Sequence, residues 1–199
     1  MLIRSVCAAL LMLVGGGAAG AVEQIPPKKT LFVFVGQFNK GQFPGWSMIP
    51  YADDMESNYV VGGAYDVQFL NLGAGFTLGA EIGVAGRFGR PTSSAEIWAG
   101  PSLRHVGIPI GNFMTVAPGI VVGFSAVTNS IGIERERELQ NNGNASFLFY
   151  LGPELAFRFN SLPNVEFVWR THHRSGLDGT LGKMREGSNA NVIGVRFPF

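Results

Sequence analysis

A chain of 199 residues with 15 basic and 14 acidic side chains carries a net charge of +1, which provides no electrostatic footprint for a nucleic-acid partner. One cysteine, Cys7, rules out an internal disulfide and a thiolate metal site. With 28 glycines and 12% aromatic residues, the composition favours short strands and turns, because glycine is costly inside helices and aromatic rings suit a pleated surface.

The first 21 residues read as a secretory signal peptide: Arg4, an apolar run over 6–14, and small residues ending Ala19-Gly20-Ala21. Cleavage near Ala21 leaves 22–199 as one domain. It removes Cys7 and Arg4, so that 14 basic residues balance 14 acidic ones.

Beyond this point the dominant signal is a period of two. Segment 30–38 is the first strand. In 59–70, Val61, Tyr65, Val67 and Phe69 form one face, and Gly62, Ala64, Asp66 and Gln68 the other. In 76–88, Phe76, Leu78, Ala80, Ile82, Val84 and Phe88 oppose Thr77, Glu81 and Arg87. The pattern continues over 94–106, where Ile97 and Leu103 oppose Glu96 and Arg104, and over 114–124. It is cleanest in 147–159, where Phe147, Phe149, Leu151, Leu155, Phe157 and Phe159 oppose Tyr150, Glu154 and Arg158. Segments 165–175 and 189–199 complete a set of eight. Each is long enough for a tilted strand to cross a hydrocarbon layer, and the sequence therefore predicts an all-β fold, an eight-stranded antiparallel transmembrane β-barrel.

The rival is a membrane helix, since 105–133 contains no Asp, Glu, Lys or Arg. Pro109 and Pro118, several glycines and the alternation argue against it. Long connections (39–58, 129–145, 176–188) tend to alternate with short ones (73–75, 109–112, 160–164), as external loops alternate with periplasmic turns in outer-membrane barrels; 89–93 is short where a long one is expected. An even strand number places both termini in the periplasm and Ser175 at the cell-surface end. The final Phe199 resembles the assembly signal of such barrels. Asp66, Glu81, Glu96, Glu154 and Glu166 share the inward parity with Arg87, Arg104, Arg158 and Arg170, which predicts an ion-pair network filling a narrow lumen. The run 134–138 alternates in sign and reads as a solvated loop.

One segment breaks the apolar-out rule. In "VEFVWRTHHRS", Val165, Phe167 and Trp169 share their parity with His173 and Ser175, so these two polar side chains face outward. Two residues of strand rise separate them by about 6.6 Å. An imidazole next to a hydroxyl can take its proton, and a carboxylate behind the ring can fix the tautomer. Glu186, in the following loop, can fold back to that position; Asp178 follows Ser175 too closely. His172 has lumen parity.

On these residues, and along "HHRSGLDGTLGKMREGSNANVIGVRFPF", the chain resembles the lipid A 3-O-deacylase family, the PagL-like outer-membrane enzymes also called acyloxyacyl hydrolases. The resemblance implies His173 as general base, Ser175 as nucleophile and Glu186 as the residue orienting His173. It implies hydrolysis of an ester-linked 3-hydroxyacyl chain of lipid A in the outer leaflet, with no metal or cofactor and lipopolysaccharide as partner, and leaves a homodimer open. The family commonly carries Asn directly after the serine, where this chain has Gly176. The candidates for holding the oxyanion are therefore Gly176 and Asn189. A calcium-dependent phospholipase on a barrel wall is a related alternative, though no acidic loop cluster of this chain convincingly offers the oxygen ligands. The other alternative is a non-enzymatic eight-stranded barrel for adhesion, membrane integrity or small-molecule passage, for which the loop bearing Trp46 and Tyr51 would supply contacts.

The mature protein should fold only in detergent or lipid, with a strand-dominated circular dichroism spectrum, because its outward faces form a continuous apolar band. A soluble helical monomer in plain buffer would contradict the barrel.

Overall fold

A computed structural model describes residues 22–49, 54–90 and 92–199. The signal-peptide segment 1–21 and Tyr51 lie outside the described residues. The strands are β1 (Glu23–Asn39), β2 (Met55–Gly73), β3 (Phe76–Phe88), β4 (Ser94–His105), the short β5 (Ile108–Ile110), β6 (Met114–Val127), β7 (Phe147–Phe159), β8 (Glu166–Ser175) and β9 (Ser188–Pro198). Neighbouring strands pair antiparallel. β4 pairs with β6 and β1 with β9, which closes eight of them into a ring, while β5 is a hairpin flap on β6. Closure gives each of the eight staves a neighbour on both sides, whereas β5 and the start of β1 pair on one side only.

The eight predicted segments are the eight staves. β1 and β2 extend beyond them, pairing from Glu23 with Asn71 through a bulge between Gln24 and Lys28, and at the other end from Asn39 with Met55. Neither extension alternates apolar with polar, because there the ladder runs past the apolar band and only backbone hydrogen bonds define the strand.

Parity holds throughout the wall. Outward residues such as Val61, Ile82, Val84, Ile97, Phe124 and Ile193 are exposed, whereas Asp66, Glu81, Arg87, Glu96, Glu154 and Arg170 are buried in the lumen. The inward charges form two clusters in which signs balance. Toward the turn end, Arg104, Arg158, Arg170 and Arg196 meet Asp66, Glu81, Glu154 and Glu166; Arg170 spans Glu81 and Glu154, each at 2.7 Å, and Arg104 pairs with Glu154. Toward the loop end, Arg87 and Arg174 meet Glu96 and Glu134. Aromatic rings separate them: Trp98 stacks on Tyr150 at 5.5 Å and donates to Glu81 at 3.0 Å. Gly83 makes room for this indole, since a Cβ there would lie 2.1 Å from Trp98 Cζ2. A buried charge without a partner is strongly destabilising, so the pairing is what makes so polar an interior tolerable.

The run 134–138 is not a solvated loop. It belongs to a helix, α1 (Gly132–Gln140), lying across the loop-end mouth of the barrel. Its period places Glu134 inward, fully buried, where it accepts from Arg87 at 2.7 Å, from Ser188 at 3.1 Å and from Arg174. On the outer side Arg135 pairs with Glu138 one turn away at 2.6 Å. The alternating signs that suggested a neutral loop are a helical i, i+3 pattern followed by an Asn-Asn-Gly stop.

Register also sets depth. Phe149 lies opposite Ser175, two residues from the loop end of β7, whereas Ile82 sits midway along β3 and is 49% exposed. Ile82→Arg should therefore cost about 2–4 kcal/mol, and Phe149→Arg only about 0–1 kcal/mol, as lipid-facing cations do at midplane and interface. Unfolding titrations in lipid check this, and equal costs would contradict the depth assignment.

Candidate active site

β8 presents its residues to two different environments. His172 faces the lumen, its Nε2 2.9 Å from Glu96 and its Nδ1 3.1 Å from the Tyr150 hydroxyl, beneath Trp98. Arg174 also faces in; it donates to Ser125 at 2.9 Å, to the Ala145 carbonyl at 2.8 Å and to Glu134. His173 and Ser175 have the opposite parity and sit on the outer wall, beside Asn189 and Phe149 respectively in the ladders to β9 and β7. The lumen-side bonds of Arg174, between them in sequence, anchor the backbone that carries both.

Although outward, this pair is covered: His173 is 5% exposed and Ser175 9%. The cover of His173 is the segment after β1, which lies against the wall instead of projecting from it. Outward asparagines of β1 and β9 hold it there. Asn39 and Asn191 both donate to the Ser47 carbonyl at 3.2 Å, and Asn189 donates to the Gly41 carbonyl at 2.8 Å. Phe43 stacks on the His173 ring with centroids 4.2 Å apart and planes inclined by 21°. From α1, Arg137 donates to the carbonyls of Lys40 at 3.0 Å, Gly41 at 3.3 Å and Gly187 at 2.8 Å, tying both loops together.

The expected residues are brought together in part. Asn189 Oδ1 lies 2.5 Å from His173 Nδ1, the place where an orienting acid was expected. Glu186 lies in the β8–β9 loop, half-buried, and its Oε2 has no hydrogen-bond partner among the described residues. Among the described residues no hydrogen bond joins Ser175 to His173. Asp178 points away, paired with Arg185 at 3.7 Å on the exposed loop.

Gly176 has a local cause. A Cβ there would fall 2.0 Å from the Met184 carbonyl oxygen and 2.5 Å from that of Leu181, so the packed loop backbone leaves no space for the asparagine expected from the resemblance. Asn39, Asn191 and Phe43 were missed from sequence. The two asparagines share the outward parity of His173, and three polar residues on one lipid-facing parity of adjacent strands was a readable anomaly. Phe43 had no such signal, since loop paths follow from tertiary contacts.

Burial pushes the Glu186 carboxyl above the usual range, against the opposing influence of Arg137 and the Phe43 N–H. A folded value above the unfolded one means that the linked stability is present below the unfolded carboxylate pKa and is lost as pH rises through the folded value. Glu186→Gln should therefore remove a decline in stability with rising pH across that window. Denaturant midpoints for both proteins through the mildly acidic range measure it; parallel curves would contradict the assignment.

No family model matches the chain, and no curated protein matches it. Among solved structures, Neisserial surface protein A (NspA) is similar with a TM-score of 0.51 and 11% identity, over 92% of this chain and 100% of that one. The outer membrane enzyme PagL is similar with a TM-score of 0.51 and 13% identity, over 87% of this chain and 100% of that one. The architecture is thus that of the eight-stranded outer-membrane barrels. A surface protein and an enzyme share it equally, so any activity has to be argued from the site.

Proposed function

We propose that the protein is an outer-membrane esterase that removes an ester-linked 3-hydroxyacyl chain from lipid A. The observation that carries this reading is a hydroxyl and an imidazole on the outer wall of the barrel, among outward asparagines of β1 and β9, with the imidazole held by a buried amide. A polar cluster on a lipid-facing wall costs free energy unless each member is hydrogen-bonded. A lipid substrate that diffuses in the plane of the membrane approaches that wall from the side and has to displace Phe43 to reach the imidazole.

In this mechanism Ser175 Oγ attacks the ester carbonyl while His173 takes its proton. The resulting oxyanion is held by donors such as the Gly176 N–H, which follows the nucleophile; loss of one such donor in other hydrolases costs on the order of 10²–10³ in rate. His173 returns the proton to the departing sugar hydroxyl, leaving an acyl-enzyme, and then activates the water that releases the fatty acid. The scheme uses no metal. The resemblance gives Glu186 the orienting role, whereas the acceptor that faces His173 Nδ1 is Asn189 Oδ1.

A second reading, a non-enzymatic barrel for adhesion or membrane integrity, is favoured by the cover over Ser175 and His173. The two separate in one experiment: mass spectrometry of lipid A from cells with and without the protein. The enzymatic reading predicts loss of one 3-hydroxyacyl chain with the wild type and none with Ser175→Ala or His173→Ala, each variant remaining folded. His172→Ala should retain the activity if the barrel tolerates it, because that ring faces the lumen. Unchanged lipid A in cells making the folded wild type would overturn the proposal, and so would undiminished deacylation by Ser175→Ala.

A further inference from the structure

Resting on the Ser175–His173 reading above, we propose that Asn189 is the positioning residue that fixes the tautomer of His173, completing a Ser-His-Asn arrangement in which Glu186 holds no place behind the ring. The assignment follows from which atoms can donate. The Gly41 carbonyl oxygen can only accept, and Asn189 meets it at 2.8 Å, so the amide presents its nitrogen on that side. Its other end is therefore the carbonyl oxygen, also an acceptor, 2.5 Å from His173 Nδ1. His173 Nδ1 must carry the hydrogen, which leaves the lone pair of the neutral ring on Nε2, the nitrogen that a base for Ser175 requires.

Asn189 is in turn held at both ends of its amide. It is fully buried on β9, directly opposite His173 in the ladder. The Gly41 carbonyl that reads its amide is shared with Arg137 of α1 at 3.3 Å, and Arg137 also holds Gly187, two residues before Asn189. An amide flip would set two acceptors against each other at Gly41 and so is opposed from outside the pair. Glu186, by contrast, makes no hydrogen bond to His173 among the described residues, and its buried Oε2 has no partner. An amide in this position orients the base without placing a formal charge behind the imidazole, as the asparagine of Cys-His-Asn hydrolases does.

The test uses the mature protein folded in detergent micelles. Long-range ¹H–¹⁵N spectra report the tautomer of each histidine, and His173→Gln identifies the His173 signals by their loss. The wild type should show His173 in the Nδ1–H form. Asn189→Ala should move it to the Nε2–H form and lower kcat on a lipid A substrate by on the order of 10²–10⁴-fold with little change in KM, the consequence expected of a wrong tautomer. Asn189→Asp, which keeps an acceptor toward Nδ1 but loses the donor to the Gly41 carbonyl, should recover the Nδ1–H form and part of kcat, whereas Glu186→Gln should leave the tautomer unchanged. A wild-type His173 in the Nε2–H form, or a tautomer that responds to Glu186→Gln and not to Asn189→Ala, would overturn the assignment. If Asn189→Ala does not fold, the wild-type, Asn189→Asp and Glu186→Gln spectra decide it. Should the folded wild type release no fatty acid, the esterase reading fails while the tautomer result still decides the role of Asn189.

Discussion

Eight strands closed into a ring leave an interior wide enough for side chains and little else, and every other property of the molecule follows from that narrowness. A charge directed inward finds no bulk water, so it must be matched by a neighbour. Two neutral clusters result, one around Arg170 and one around Arg87 and Arg174, with aromatic rings between them. The loop-end cluster contains a carboxylate from outside the sheet: Glu134 of α1 enters the mouth, so helix and barrel are joined by a buried charge rather than by apolar packing alone.

The same alternation gives neighbouring residues of β8 unrelated roles. His172 is bonded to Glu96 and Tyr150 in the interior, and His173 to Asn189 on the wall. Arg174 points inward between two outward polar residues and is fixed by three partners, so the lumen network holds the backbone beneath the wall site. Sites on rigid strands keep their geometry better than sites on loops. The loops contribute the cover instead, with Phe43 on the imidazole and Arg137 bridging Gly41 and Gly187.

How much of this was legible in the sequence depended on which physical rule governed each part. Strand existence, inward charge pairing and the opposite parities of His172 and His173 were readable because a period of two leaves no freedom once one face is apolar. The ends of β1 and β2 were not, since Lys28, Lys29 and Asn58 lie where the ladder outruns the apolar band. Helix α1 was hidden by its own charges: Glu134 to Glu138 alternate in sign, which suggests solvation in a linear reading and a two-sided surface in a helical one. At the site, His173 and Ser175 stood out as polar residues on an apolar parity, and Asn189 and Glu186 were noticed, the first as a candidate for holding the oxyanion and the second as the residue orienting His173. Which of them meets His173 depends on the β8–β9 register and on a loop path set by Gly41, Phe43 and Gly187, and no local pattern encodes that.

The central claim, that Ser175 is a nucleophile activated by its outward neighbour His173, is tested most directly by covalent labelling. A serine-reactive fluorophosphonate incubated with the folded barrel, followed by peptide mass spectrometry, should modify Ser175 in the wild type. Labelling should be lost in His173→Ala and persist in Glu186→Gln, where the hydrogen bond from His173 to Asn189 remains. An unmodified Ser175 in a barrel that releases fatty acid from lipid A, or modification that does not depend on His173, would contradict the account.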